Sequence, residues 1–125
     1  MALVKKIKDR KVNIEFNKEF IKVINEKIKK QDTDFLANSL KELLPADSAD
    51  IIENLSPENR SKLIELEGFN IDPEIFVELN ESIQTEIFLL LSVESIASLL
   101  KKLESDNALK ILENLDKSKK ETVLN

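Results

Sequence analysis

The reactive inventory of this 125-residue chain is almost entirely carboxylate: 24 Asp and Glu side chains stand with no histidine, no cysteine and no tyrosine. Zinc sites, thiolate chemistry, the commonest general base and Ser-His or Cys-His nucleophile pairs are therefore closed to it. An enzyme built from what remains would need paired carboxylates in a cleft, and a single glycine excludes a glycine-rich phosphate loop. Enzymatic function is not expected. Carboxylates without such partners bind hard divalent cations through oxygen, or they cover a solvated helix face. Their distribution is uneven. Residues 1–30 carry ten Lys or Arg against four Asp or Glu, and residues 31–125 carry nine against twenty, so a head of net +6 precedes a body of net −11. An acidic body repels phosphates, and nucleic acid is not an expected partner. Two acidic surfaces also repel each other, and a divalent cation between them would favour their contact. The basic head suits anionic lipid, an acidic partner, or a lysine-rich solvated face.

The elements that carry these side chains follow from a repeat. Stepping by twelve from Leu36 gives marks at 48, 60, 72, 84, 96, 108 and 120. Three and four residues past each mark stand Ser39 and Leu40, Ile51 and Ile52, Leu63 and Ile64, Ile75 and Phe76, Ile87 and Phe88, Leu99 and Leu100, Ile111 and Leu112, Val123 and Leu124. All but Ser39 are large and apolar. Seven past the marks come Leu43, Leu55, Glu67, Leu79, Leu91, Leu103 and Leu115, where Leu66 is expected to substitute for Glu67. Offsets of three, four and seven share one helical face, which makes each unit a short amphipathic helix.

The punctuation agrees. Four residues before the marks sit Asp32, Leu44, Ser56, Gly68, Asn80, Ser92, Glu104 and Asp116, mostly types whose side chains accept from the free N–H groups of a helix start. Pro45 and Pro57 follow two of them, at the first-turn position that tolerates proline. In GFNIDPEIFVEL the cap moves to Asp72, ahead of Pro73, and leaves Gly68 to Ile71 as a longer loop. Twelve residues allow about eight or nine helical ones, a rod of roughly 13 Å. Such a helix does not survive alone and must stack on its neighbours. The expected fold is all-α: a superhelical solenoid of short antiparallel helices, about twelve residues per helix-turn unit. A longer helix, Asn17 to Lys30, precedes it with Phe20, Ile24 and Ile28 on one face. Residues 1–16 are read as a basic arm, extended over Val12 to Phe16, and residues 17–125 as the solenoid domain. No apolar run approaches the 18 residues of a membrane span, and MALVKKIKDRK lacks a signal-peptide core, which predicts a cytoplasmic chain.

The phrases LPADSADIIENL, SPENRSKLIEL and LESDNALKILENL, in that order, resemble the intracellular N-terminal domain of the MgtE magnesium transporters. That family has a Pro-x-Asp-x-x-Asp phrase leading into Leu-Leu-Glu-Glu-Leu, then short helices, then an Asp-Asp-x-Ala-Asp phrase. The resemblance runs from about Asp32 to the C-terminus. It implies a cytoplasmic magnesium sensor at the inner face of the membrane, preceding a pair of CBS domains and a transmembrane pore. Bound magnesium would hold it against the CBS domains and favour the closed pore; a homodimer would form through those other parts. It further implies metal-facing roles for Glu74 and Asp106, with magnesium bound weakly and the site completed by the partner domain. Asn107 and Lys110 stand where the family has aspartates, and Lys110, four residues after Asp106, is placed to pair with it. Asp47 and Asp50 match the opening phrase and are expected to cap and position their helix. The alternative is a protein-interaction scaffold similar to the flagellar motor switch repeats, taking a partner helix in an apolar groove.

Overall fold

The computed structural model describes residues 14–68 and 71–115. Eight helices fill them: α1 (Ile14–Lys29), α2 (Thr33–Glu42), α3 (Pro45–Asn54), α4 (Pro57–Glu67), α5 (Pro73–Glu78), α6 (Glu81–Leu90), α7 (Val93–Lys101) and α8 (Ser105–Asn114). No strand occurs among the described residues. The twelve-residue register is visible in the helix starts at Thr33, Pro45, Pro57, Glu81, Val93 and Ser105. Between Pro57 and Glu81 two units share the space unequally: α5 has six residues and begins at Pro73, with Asp72 as its cap.

Side-chain caps fix most of these starts. Asp32 Oδ1 accepts from Phe35 N at 3.2 Å, Ser56 Oγ from Asn59 N at 3.2 Å, Asn80 Oδ1 from Ile83 N at 2.9 Å and Ser92 Oγ from Ser95 N at 3.1 Å. Each cap satisfies one of the N–H groups that a helix start leaves without an internal partner, a contribution of about 1 kcal/mol. Leu44 and Glu104 occupy the same position without a side-chain bond.

The leucines at the seventh offset do not lie on the helices. Leu43, Leu55, Leu79, Leu91 and Leu115 are C-caps with extended backbone, and in the first four cases the next residue, also extended, is the following N-cap. Two extended residues are enough to stop one helix and start the next. The turn directs the cap leucine inward, so Leu43, Leu55, Leu79 and Leu115 are buried.

Most helices stack on the helix two places along the chain. α2 packs on α4, α4 on α6 and α6 on α8, while α1 packs on α3 and α3 on α5. α1 also lies against α2 and α4, and α8 against α5 and α7. The core runs along this stack from Phe20, Ile24 and Ile28 through Ile52, Leu63, Phe76 and Phe88 to Ile111. Phe76 and Phe88 pack with ring centroids 5.9 Å apart. Burying one such side chain contributes roughly 1.5–3 kcal/mol, which individual helices of six to eleven residues require because isolated helices of that length are marginal.

Two expectations need correction. The first helix starts at Ile14, so Ile14 to Phe16 are helical and not extended. A lone strand has no ladder partner, whereas lengthening a helix that already exists adds one bond for each residue fixed. At the seventh offset of the fourth helix, Glu67 keeps the buried position at 2% exposure, and Leu66 is only partly buried. Leu63 and Ile64 set the rotation of α4, and a one-residue shift would turn Leu66 about 100° away from that face. Val12 and the pair Val123 and Leu124 lie outside the described residues.

Candidate functional site

Glu74 is the second residue of α5, and Asp72 positions it: Glu74 N donates to Asp72 Oδ1 at 3.0 Å. Its side chain is half-buried. Asp106 is the second residue of α8 and is exposed. Both carboxylates stand in first turns, where the aligned peptide dipoles favour negative charge. Their helices are neighbours, because α5 packs on α8. The stack therefore brings together two residues 32 positions apart in sequence to the extent of adjoining helices.

They do not form a self-contained metal site. Among the described residues no group of three His, Cys, Asp or Glu side chains could hold a metal ion. Magnesium demands six oxygens in a near-octahedral shell, usually keeping several waters and taking one or two protein carboxylates. Glu74 and Asp106 fit the contribution of one side of a shared shell and no more. Lys110 does not neutralise Asp106: the two form no ion pair among the described residues. Both side chains are exposed, and holding two long side chains in register there costs as much entropy as the pairing returns. Asn107 is half-buried beside them. Asp47 lies in the first turn of α3 behind an N-cap, Leu44, that makes no side-chain bond, while Asp50 is exposed further along the helix. Neither Glu74 nor Asp106 lines the open groove of about 410 Å³ between α4 and the α6–α7 turn, whose walls include Ile64, Glu65, Leu90 and Leu91.

What sets the positions of these helices is a polar device that the apolar pattern did not show. Three polar side chains at the repeat marks are buried: Ser48, Arg60 and Gln84. Each donates to a carbonyl eight residues back, in the helix before it. Ser48 Oγ reaches Leu40 O at 3.4 Å, Arg60 Nη1 reaches Ile52 O at 3.3 Å and Gln84 Nε2 reaches Phe76 O at 2.7 Å. The last carbonyls of a helix have no intrahelical donor, and a donor at the mark of the next helix meets that need. Arg60 does most. Its Nη1 also donates to Glu53 O at 3.2 Å and Leu55 O at 2.6 Å, while Nε and Nη2 meet Glu86 Oε2 and Oε1 at 2.6 and 3.0 Å. One guanidinium thus joins the end of α3 to α4 and α6. Its hydrogen bond holds the Glu86 carboxyl below its ordinary value, against an opposing push from burial. Within a helix the mark shares a face with its third and fourth successors, so a polar side chain there is turned toward the core, whereas Asp72, the mark that caps α5, is exposed. Two further ties join distant units, Asn59 Nδ2 to Asn25 Oδ1 at 2.8 Å and Asn80 Nδ2 to Glu53 Oε2 at 3.2 Å.

No helix among the described residues is long and apolar enough to cross a membrane. The family model for the MgtE intracellular N domain matches residues 43–125, about two thirds of the chain. No curated protein and no solved structure matches it.

Proposed function

The chain belongs to the family of MgtE intracellular N domains, and from that premise we propose that it is the cytoplasmic magnesium-sensing domain of a magnesium transporter. In this reading it gates the pore through ion-dependent association with CBS domains of the same transporter. The carrying observation is the family match over residues 43–125, joined to an acidic body that lacks a complete ligand set of its own among the described residues. Glu74 and Asp106 would each offer carboxylate oxygen from a first turn toward magnesium, with the remaining protein ligands coming from the opposing domain. Magnesium there supplies positive charge that offsets repulsion between two acidic faces. In this reading the stacked helices dock or separate as a unit.

The test is magnesium flux through the full-length transporter across a range of cytoplasmic magnesium, with and without this domain. Removal is expected to leave a pore that conducts but no longer shuts as magnesium rises. Unchanged inhibition after removal would overturn the sensor reading and favour a scaffold role.

A further inference from the structure

Gln84 differs from the other two buried marks in the helices it joins. It is 5% exposed on α6, and its amide is engaged at both ends. Nε2 donates to Phe76 O at 2.7 Å in the last turn of α5, and Oε1 accepts from Asn114 Nδ2 at 2.5 Å at the end of α8. The Phe76 carbonyl has no donor within its own helix, because the backbone N–H of Asn80, four residues on, is turned to Glu53 Oε2. One amide thus ties α5 to α8, which also pack on each other and carry Glu74 and Asp106. α5 is the shortest helix among the described residues. Apolar burial is non-directional and tolerates sliding, whereas a hydrogen bond fixes distance and angle.

We propose that Gln84 and Asn114 are positioning residues for the magnesium response: their bridge holds α8 against α5 so that Asp106 and Glu74 present oxygen to one coordination shell. The inference rests on the magnesium-sensing reading above. Leverage carries it. Asp106 precedes Asn114 in α8 by eight residues, about 12 Å along the helix axis. A tilt of about 10° at the tied end displaces Asp106 by roughly 2 Å. Magnesium holds its oxygens at about 2.0–2.1 Å in a near-octahedral shell, so a displacement of that size removes a ligand. The tie between Asn59 and Asn25 is the internal comparison: it joins α4 to α1 by the same amide chemistry and involves neither α5 nor α8.

The chain has no cysteine, so nitroxide labels can be attached specifically through Glu78→Cys on α5 and Lys110→Cys on α8, both exposed positions. In the 125-residue protein without added magnesium, the distance distribution between the labels is measured by electron paramagnetic resonance, alone and with Asn114→Ala or Asn25→Ala added. Asn114→Ala should shift or broaden the distribution by roughly 2 Å, and Asn25→Ala should leave it unchanged. In the full-length transporter, Asn114→Ala should raise the magnesium needed for half-closure about two- to tenfold, the range of one lost hydrogen bond, and Asn25→Ala should not. If Asn114→Ala lowers the urea midpoint more than Asn25→Ala does, Asn114→Asp, which keeps the volume and removes the donor, takes its place. An unaltered distance distribution overturns the positioning role whatever the flux shows. A changed distribution with closure like that of the Asn25→Ala protein overturns the link to magnesium while the sensor reading stands, provided removal of the whole domain abolishes closure. Inhibition that persists after that removal overturns both.

Discussion

Arg60→Ala should destabilise this domain more than any other single loss of charge among the described residues. Arg60 is 5% exposed and serves three carbonyls at the end of α3 together with Glu86 on α6. Each buried acceptor deprived of its donor costs about 1–3 kcal/mol, less where water can enter. The Glu86 side chain is 32% exposed and regains water once the guanidinium is gone, so its part approaches the roughly 0–1 kcal/mol of a surface pair and not the larger penalty of a buried one. The net expectation is a loss of about 2–4 kcal/mol against a typical total of roughly 5–15 kcal/mol. Urea unfolding followed by far-ultraviolet circular dichroism measures it, with the slope unchanged and the midpoint lowered. Glu86→Gln, which keeps the shape and one acceptor, should lose only about 1 kcal/mol. The pair also fixes a pH response. The folded Glu86 carboxyl titrates below its ordinary value of 4.5, so its contribution is complete above that value and is lost as pH falls through the lower folded one. Glu86→Gln should flatten the fall in stability below about pH 4.5. An Arg60→Ala midpoint matching a loss under about 0.5 kcal/mol would refute the view that one guanidinium joins three helices.

Phe76→Ala, at a fully buried position, should cost about 3–5 kcal/mol, while Leu109→Ala, at 57% exposure, should stay within about 0.5 kcal/mol; thermal or urea midpoints of the two settle the contrast. Gly68→Ala places a Cβ 2.7 Å from the Ile64 carbonyl oxygen at the end of α4, and an overpacking loss of about 1–3 kcal/mol should follow in the same assay. Titration calorimetry of the isolated domain should detect only weak, salt-sensitive magnesium binding, since no three-carboxylate group exists among the described residues; tight binding would contradict the shared-shell account.

The one-dimensional pattern determined the helices. A twelve-residue register with caps at Asp32, Ser56, Asp72, Asn80 and Ser92 specified where each begins, because capping and helical periodicity act within a few residues of chain. It also named the core at the third and fourth offsets, and the order of its acidic phrases pointed to the family that the match over residues 43–125 bears out. Local pattern could not decide what depends on neighbours far along the chain. Glu67 is buried because Leu63 and Ile64 fix the rotation of α4 within the stack. Ser48, Arg60 and Gln84 are interior because each preceding helix ends in carbonyls that need donors, a demand that exists only once two helices are packed. The adjoining of the Glu74 and Asp106 helices is likewise a product of packing, since α5 meets α8 across two intervening elements.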